Sequence, residues 1–188
     1  MKSLEILYDY MEEPEKAKAF IAQKTPMGLA LAGFLSGSLG LALWKGREGS
    51  YILFFFAVAG FFFLWDMGFS FLLAAVIHLL TSISGDKEMN SNQRAGSLFA
   101  YFGLADFSWA LAAPVAIFSC LGPWAYWPAW AMITGIGFFN LTLKAQGVRS
   151  VYGFSWTRSW MTLLFPYVLS ASFLVCLFLL AASSFLLR

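Results

Sequence analysis

Charge is what this chain has least of: Asp, Glu, Lys and Arg make up 12% of its 188 residues. That is too little for a soluble domain of ordinary composition. A net charge of +2, with no basic stripe interleaved with aromatic residues, argues against a nucleic-acid partner. Cysteine is nearly absent as well. Cys120 and Cys176 stand alone in apolar runs without a CxxC, so neither a redox pair nor a thiolate metal site is expected. His78 is the single imidazole, which argues against a histidine-built metal site. No GxSxG, HExxH or GxxxxGK[ST] motif occurs, so the chain reads as a non-enzyme with no cofactor. The start, "MKSLEILYDYMEEPEKAKAF", is charged and mixed, unlike a signal peptide.

What is there is apolar. Hydrophobic residues make up 60% of the chain, including 21 Phe and 8 Trp, and the mean hydropathy is +0.72. The expectation is an all-α polytopic membrane protein. Five segments, Met27 to Trp44, Tyr51 to Ser82, Leu98 to Cys120, Tyr126 to Leu143 and Met161 to Leu187, are each long enough to cross a hydrocarbon core of about 30 Å as a helix. The second is overlong, so it either projects beyond the lipid or breaks near Asp66 and Gly68. Trp residues beside turns, as in "CLGPWAYWPAW", suit headgroup level. Residues 1–26 read as a tail with a short interfacial helix, and 27–188 as the membrane domain. The connection "KAQGVRSVYGFSWTRSW" reads as a second interfacial segment.

Basic residues set the orientation. Lys2, Lys16, Lys18, Lys24, Lys87, Arg94, Lys144, Arg149 and Arg158 fall on one side of a five-span path, and Lys45, Arg47 and Arg188 on the other. This predicts a cytoplasmic amino terminus and an outside carboxy terminus.

Within the apolar segments a few polar side chains stand out. Asp66 lies about 22 Å into the second span, and Asp106 reaches a comparable depth in the antiparallel third. Asn140 and Lys144 approach the same layer from the fourth. Carboxylates inside a membrane are costly and face protein or water. They could form a proton-linked or ion-binding cavity, the two acids sharing a proton. Alternatively Asp66 caps a helix break before Gly68, and Asp106 pairs with Arg94 or Lys144 to fix the packing. His78, at the cytoplasmic end of the second span, is a candidate surface contact or pH sensor, alongside Asp86, Arg94, Arg149 and Arg158. In "GLALAGFLSGSLGLAL", Gly33, Gly37 and Gly40 provide small residues for close helix approach, either within the molecule or across a homo-oligomer seam.

The stretch "IHLLTSISGDKEMNSNQRAGSLFAYFGLADFSWALAAP" and the closing "NLTLKAQGVRSVYGFSWTRSWMTLLFPYVLSASFL" resemble the Yip (Ypt/Rab-interacting protein) domain family. Its members carry a span ending in histidine, a glycine-containing loop, a tyrosine entering the next span, and a proline early in the last. The likeness covers about Pro14 to Leu187. It implies a five-helix membrane domain with a cytoplasmic amino terminus and, in eukaryotes, work between ER and Golgi with prenylated Rab GTPases. The long cytoplasmic region is missing and "SGD" replaces a double glycine, which resembles the short prokaryotic members. The expected location is therefore a bacterial cytoplasmic membrane, or ER and Golgi if eukaryotic. The expected role is a membrane adaptor or scaffold with lipid contacts and protein partners; the alternative is a small transporter or channel subunit using the intramembrane acids.

The charge asymmetry is checked by single cysteines in a cysteine-free background. One at Ser50 should react with an impermeant thiol reagent in intact cells, and one at Ser91 should be protected. Labelling at Ser91 reverses the orientation.

Overall fold

The computed structural model describes residues 8–10, 21, 25–46, 52–83 and 91–186; of 91–94, 174 and 180–186 it describes the backbone alone. Among the described residues the chain is helical, with no strand. The principal helices are α1 (Met27–Gly46), α2 (Ile52–Ile83), α3 (Ser91–Asp106), α4 (Ala112–Ser119), α5 (Tyr126–Tyr152) and α6 (Trp156–Leu186). A 3₁₀ segment, Phe107–Leu111, joins α3 to α4.

Four stretches are long and apolar enough to cross a membrane: Met27–Gly46, Ile52–Ile83, Ala95–Ser119 and Trp156–Leu179. α5, at 27 residues, has the length. Pro128, Gly135, Gly137 and Asn140 lower its apolarity, and it is not among the four.

Of the two expectations for the overlong second span, a break near Asp66 does not occur; a break occurs in the third. α2 runs for 32 residues without interruption, so Asp66 caps no helix end. The third span instead tightens into 3₁₀ geometry directly after Asp106, and Ala112 N–H bonds Trp109 O. Pro114 explains part of this, since it has no N–H for the Ala110 carbonyl and its ring crowds that oxygen.

The segment "KAQGVRSVY" also differs from expectation. It is not an interfacial loop but the continuation of α5, with Lys144, Gly147, Val148 and Ser150 buried. Lys144 is therefore no loop charge. α5 ends where Gly153 takes φ 68° and its N–H bonds Arg149 O at 2.8 Å, a left-handed cap that suits glycine. Ser155 then opens α6, accepting Arg158 N–H on Oγ at 3.4 Å.

The largest buried cluster joins five helices, with Phe34 of α1, Leu73 and Ile77 of α2, Phe102 of α3, Val148 of α5 and Leu163 of α6. α3 lies between α1, α2 and α5, whereas α6 packs on α5 and α2. The tail is not wholly peripheral. Tyr10 and Ile21 are fully buried against Tyr101, Leu104 and Leu143, so at these two positions the tail enters the bundle instead of lying on the lipid.

α1 and α3 meet backbone to backbone. A Cβ added at Gly33 would collide with the Gly103 carbonyl, at Gly40 with that of Trp109, and at Gly37 would stand 2.6 Å from the Asp106 carbonyl. All three small residues thus face this molecule's own third span. Gly60 and Gly68 of α2 have open space around them. Gly37→Leu should therefore lower thermal stability in detergent by more than about 3 kcal/mol, because backbone cannot yield as a side chain does. Gly68→Ala should be neutral or raise it by up to about 1 kcal/mol through helix propensity. Equal melting of Gly37→Leu and the parent would remove this contact from the account.

Candidate functional site

α2, α3 and α5 bring Asp66, Asp106, Asn140 and Lys144 into one cluster. Lys144 Nζ lies 2.9 Å from Asp106 Oδ1 and 3.9 Å from Asp66 Oδ1. The lysine and Asp106 are buried, and the Asp66 side chain keeps 21% of its surface. The ring of Phe102, one turn before Asp106, lies 5.9 Å from the ammonium, so two residues of the same α3 face meet the charge.

Asn140, one turn before Lys144, links this ion pair to the break in the third span. Its Nδ2 donates to Asp106 Oδ1 at 2.8 Å, to the Ala105 carbonyl at 3.0 Å and to Ser108 Oγ at 3.2 Å. A change from α to 3₁₀ geometry disturbs the regular backbone ladder. The amide supplies a donor to that region and to the carboxylate at once. Spacing of four on α5 makes this possible, since residues i and i+4 share a helix face.

Asp66 Oδ2, Asp106 Oδ2 and Ser70 Oγ are buried without a hydrogen-bond partner among the described residues. Ser70 follows Asp66 by one turn of α2 and so lies on its face. Tyr167 of α6 is within electrostatic reach of Lys144 and both acids, and its ring lies 5.4 Å from that of Phe69.

Tyr10 reaches the helix that carries Lys144. Its hydroxyl donates to the Leu143 carbonyl at 2.8 Å, one residue before Lys144, and its ring lies 5.5 Å from that of Tyr101. Burial, with Tyr101 and Asp106 adding to it, pushes this phenol well above its ordinary pKa. It therefore stays a neutral donor.

The other candidates stand apart. His78 Nδ1 and the Tyr152 hydroxyl share a hydrogen bond of 3.3 Å, joining α2 to α5. Arg149 lies over Trp156 at 5.3 Å and Arg158 over Phe154 at 3.9 Å. Asp86 and the side chain of Arg94 lie outside the described residues, and Lys144 is the partner that Asp106 takes. Ser70, Ser108, Tyr10, Tyr101 and Tyr167 were missed from sequence. The serines carried a signal, each within one turn of an acid. The tyrosines carried none, because an aromatic residue in so aromatic a chain does not distinguish itself.

No family model, curated protein or solved structure matches the chain.

Chemically the arrangement clamps one cation between two anions and leaves one negative charge in excess when both acids are ionised. Removing one partner of a buried pair strands the other, at about 3–5 kcal/mol. Lys144→Met should therefore be the most destabilising change in the cluster. Asp106→Asn, which keeps the shape and one acceptor, should cost about 1–3 kcal/mol, and Asp66→Asn less because it is farther from the ammonium. Thermal unfolding of the purified variants reads the order. An Asp66→Asn loss exceeding that of Lys144→Met would contradict the assigned geometry.

Proposed function

We propose that the chain is a non-catalytic membrane scaffold of the Yip type, with five spans, a cytoplasmic amino terminus and partner-binding surfaces at the cytoplasmic ends of its helices. The observation that carries this reading is Lys144, bonded to Asp106 at 2.9 Å and reaching Asp66 at 3.9 Å. A charge held between α2, α3 and α5 supports a rigid frame, because moving any one of these helices away uncovers a buried ion. The membrane is supported by the four apolar stretches. Five spans are supported by α5, which is 27 residues long and packs against α3 and α4 and whose polar residues at the cluster, Asn140 and Lys144, are buried.

The exposed faces fit the same reading. Phe54, Phe61 and Trp65 of α2 and Phe173 and Phe178 of α6 stand more than half exposed, as lipid-facing side chains do. A short connection between α5 and α6, with Arg149 and Arg158 each against an aromatic ring, offers a firm surface to a protein partner at the headgroup level.

A second reading, proton-coupled transport, draws on the unpartnered Asp66 Oδ2 and Asp106 Oδ2. The two separate on Asp66→Asn and Asp106→Asn. A scaffold should lose moderate stability yet still co-purify its native membrane partners. A transporter should remain folded and lose a pH-driven flux in liposomes. We expect the first result for both sites. A flux in the parent that the folded variants lack would replace the scaffold by the transporter.

A further inference from the structure

We infer that the exposed furrow between α2 and α6 receives a transmembrane helix of a partner protein, and that a lysine or arginine within that helix pairs with Asp66. The inference rests on the scaffold reading above and adds a partner inside the membrane to it.

Two carboxylates share one ammonium in this bundle, and they share it unequally. Asp106 takes Lys144 at 2.9 Å and the Asn140 amide at 2.8 Å. Asp66 has the same ammonium at 3.9 Å, beyond hydrogen-bond reach, and its Oδ2 has no partner among the described residues. With both acids ionised the cluster keeps one negative charge, and at Asp66 that charge is least compensated. An acid within a span normally meets a counter-charge or water. The Asp66 side chain retains 21% of its surface, so it stands at the edge of the bundle.

A furrow starts there. Phe69, one turn along the same face of α2, meets Tyr167 of α6 with ring centroids 5.4 Å apart. From that contact α2 leads back to Ile52 and α6 on to Leu186, and both walls lose their neighbours. Every described side chain of α6 from Val168 to Leu179 is exposed, and on α2 between Ile52 and Trp65 Ala59 alone is buried. The α2 wall rises about 21 Å from Asp66 to Ile52. Both walls are apolar, and the acid stands at their base.

An occupant has to satisfy walls and base together. An acyl chain suits the walls but brings no charge, and a lipid's own charge stays at the headgroup level. A second copy of this chain brings apolar helices, yet the cation in the interior of its spans is Lys144, which its own acids hold. A foreign helix with one basic residue supplies both. Polypeptide in lipid is helical because it must bond its own backbone, and the long stem of lysine or arginine carries the charge to an acid on a neighbouring helix. The carboxyl of Asp66, with no hydrogen bond to fix Oδ2, turns to meet it.

Full-length chain carrying Cys176→Ala and a donor dye at the exposed Cys120 is reconstituted in liposomes with synthetic leucine-rich transmembrane helices that bear a central lysine, leucine or glutamate and an acceptor dye. Energy transfer should show the lysine helix bound about tenfold more tightly than the leucine helix, the scale of one interhelical polar contact in lipid, and the glutamate helix no better than leucine. Asp66→Asn, its folding checked by melting, should remove the preference. Ala171→Trp, exposed one turn beyond Tyr167, should narrow the furrow and weaken the lysine helix, whereas Ile117→Trp, exposed on α4, should not. Equal binding of the lysine and leucine helices, or a preference that folded Asp66→Asn retains, would overturn the proposal. So would transfer between donor- and acceptor-labelled copies that Ala171→Trp abolishes, which assigns the furrow to a second copy. A melting rise with sodium over choline chloride that Asp66→Asn abolishes assigns the acid to a small cation and overturns it as well. A chain without a pH-driven flux that prefers neither helix overturns this inference alone; a flux lost in folded Asp66→Asn overturns the scaffold reading beneath it.

Discussion

An ammonium group among packed helices has to be neutralised where it stands, and Lys144 meets that requirement with Asp106 at 2.9 Å and Asp66 at 3.9 Å. Most of the architecture can be traced to this. Because the lysine is on α5 and the acids on α3 and α2, the three helices must cross at one level. Because Asp106 ends α3, the backbone there needs a donor at that same level, and Asn140 provides it to the Ala105 carbonyl. Ion pairing and backbone repair are therefore one network, and a change in either is felt by the other.

α1 contributes no charge to this network and is admitted by shape alone. Its glycines lie against the carbonyls of Gly103, Asp106 and Trp109, so the helix approaches the very stretch of α3 whose geometry changes. Lipid offers helices no hydrophobic reason to associate, and close backbone contact takes its place. A side chain at Gly37 would press on the residue that carries the central carboxylate. The glycine seam and the ion pair thus stabilise opposite sides of the same turn.

Four of the five expected apolar segments, their approximate limits and the grouping of four polar side chains were legible because depth along a helix is simple arithmetic: antiparallel helices of known rise put Asp66 and Asp106 in one layer. Breaks were harder. Asp66 followed by Gly68 looks like a helix end in isolation, yet α2 passes through it, since a glycine costs a long helix only about 1 kcal/mol. The actual break needed Pro114 and Asn140 together, residues distant in sequence. The polar run after Leu143 looked like a loop because its charge faces inward to partners that sequence alone does not reveal. Tyr10 was illegible for the same reason, its acceptor lying on Leu143.

That last contact has a consequence for how the chain is made. Tyr10 leaves the ribosome early, and the carbonyl it will bond belongs to a helix that emerges near the end. Asp66 and Asp106 likewise both precede the cation that balances them. A nascent chain halted before Lys144 would hold two acids with no counter-charge and an amino-terminal segment with nowhere to dock. Arrival of α5 resolves both at once, so completion of the fold is a late and concerted event.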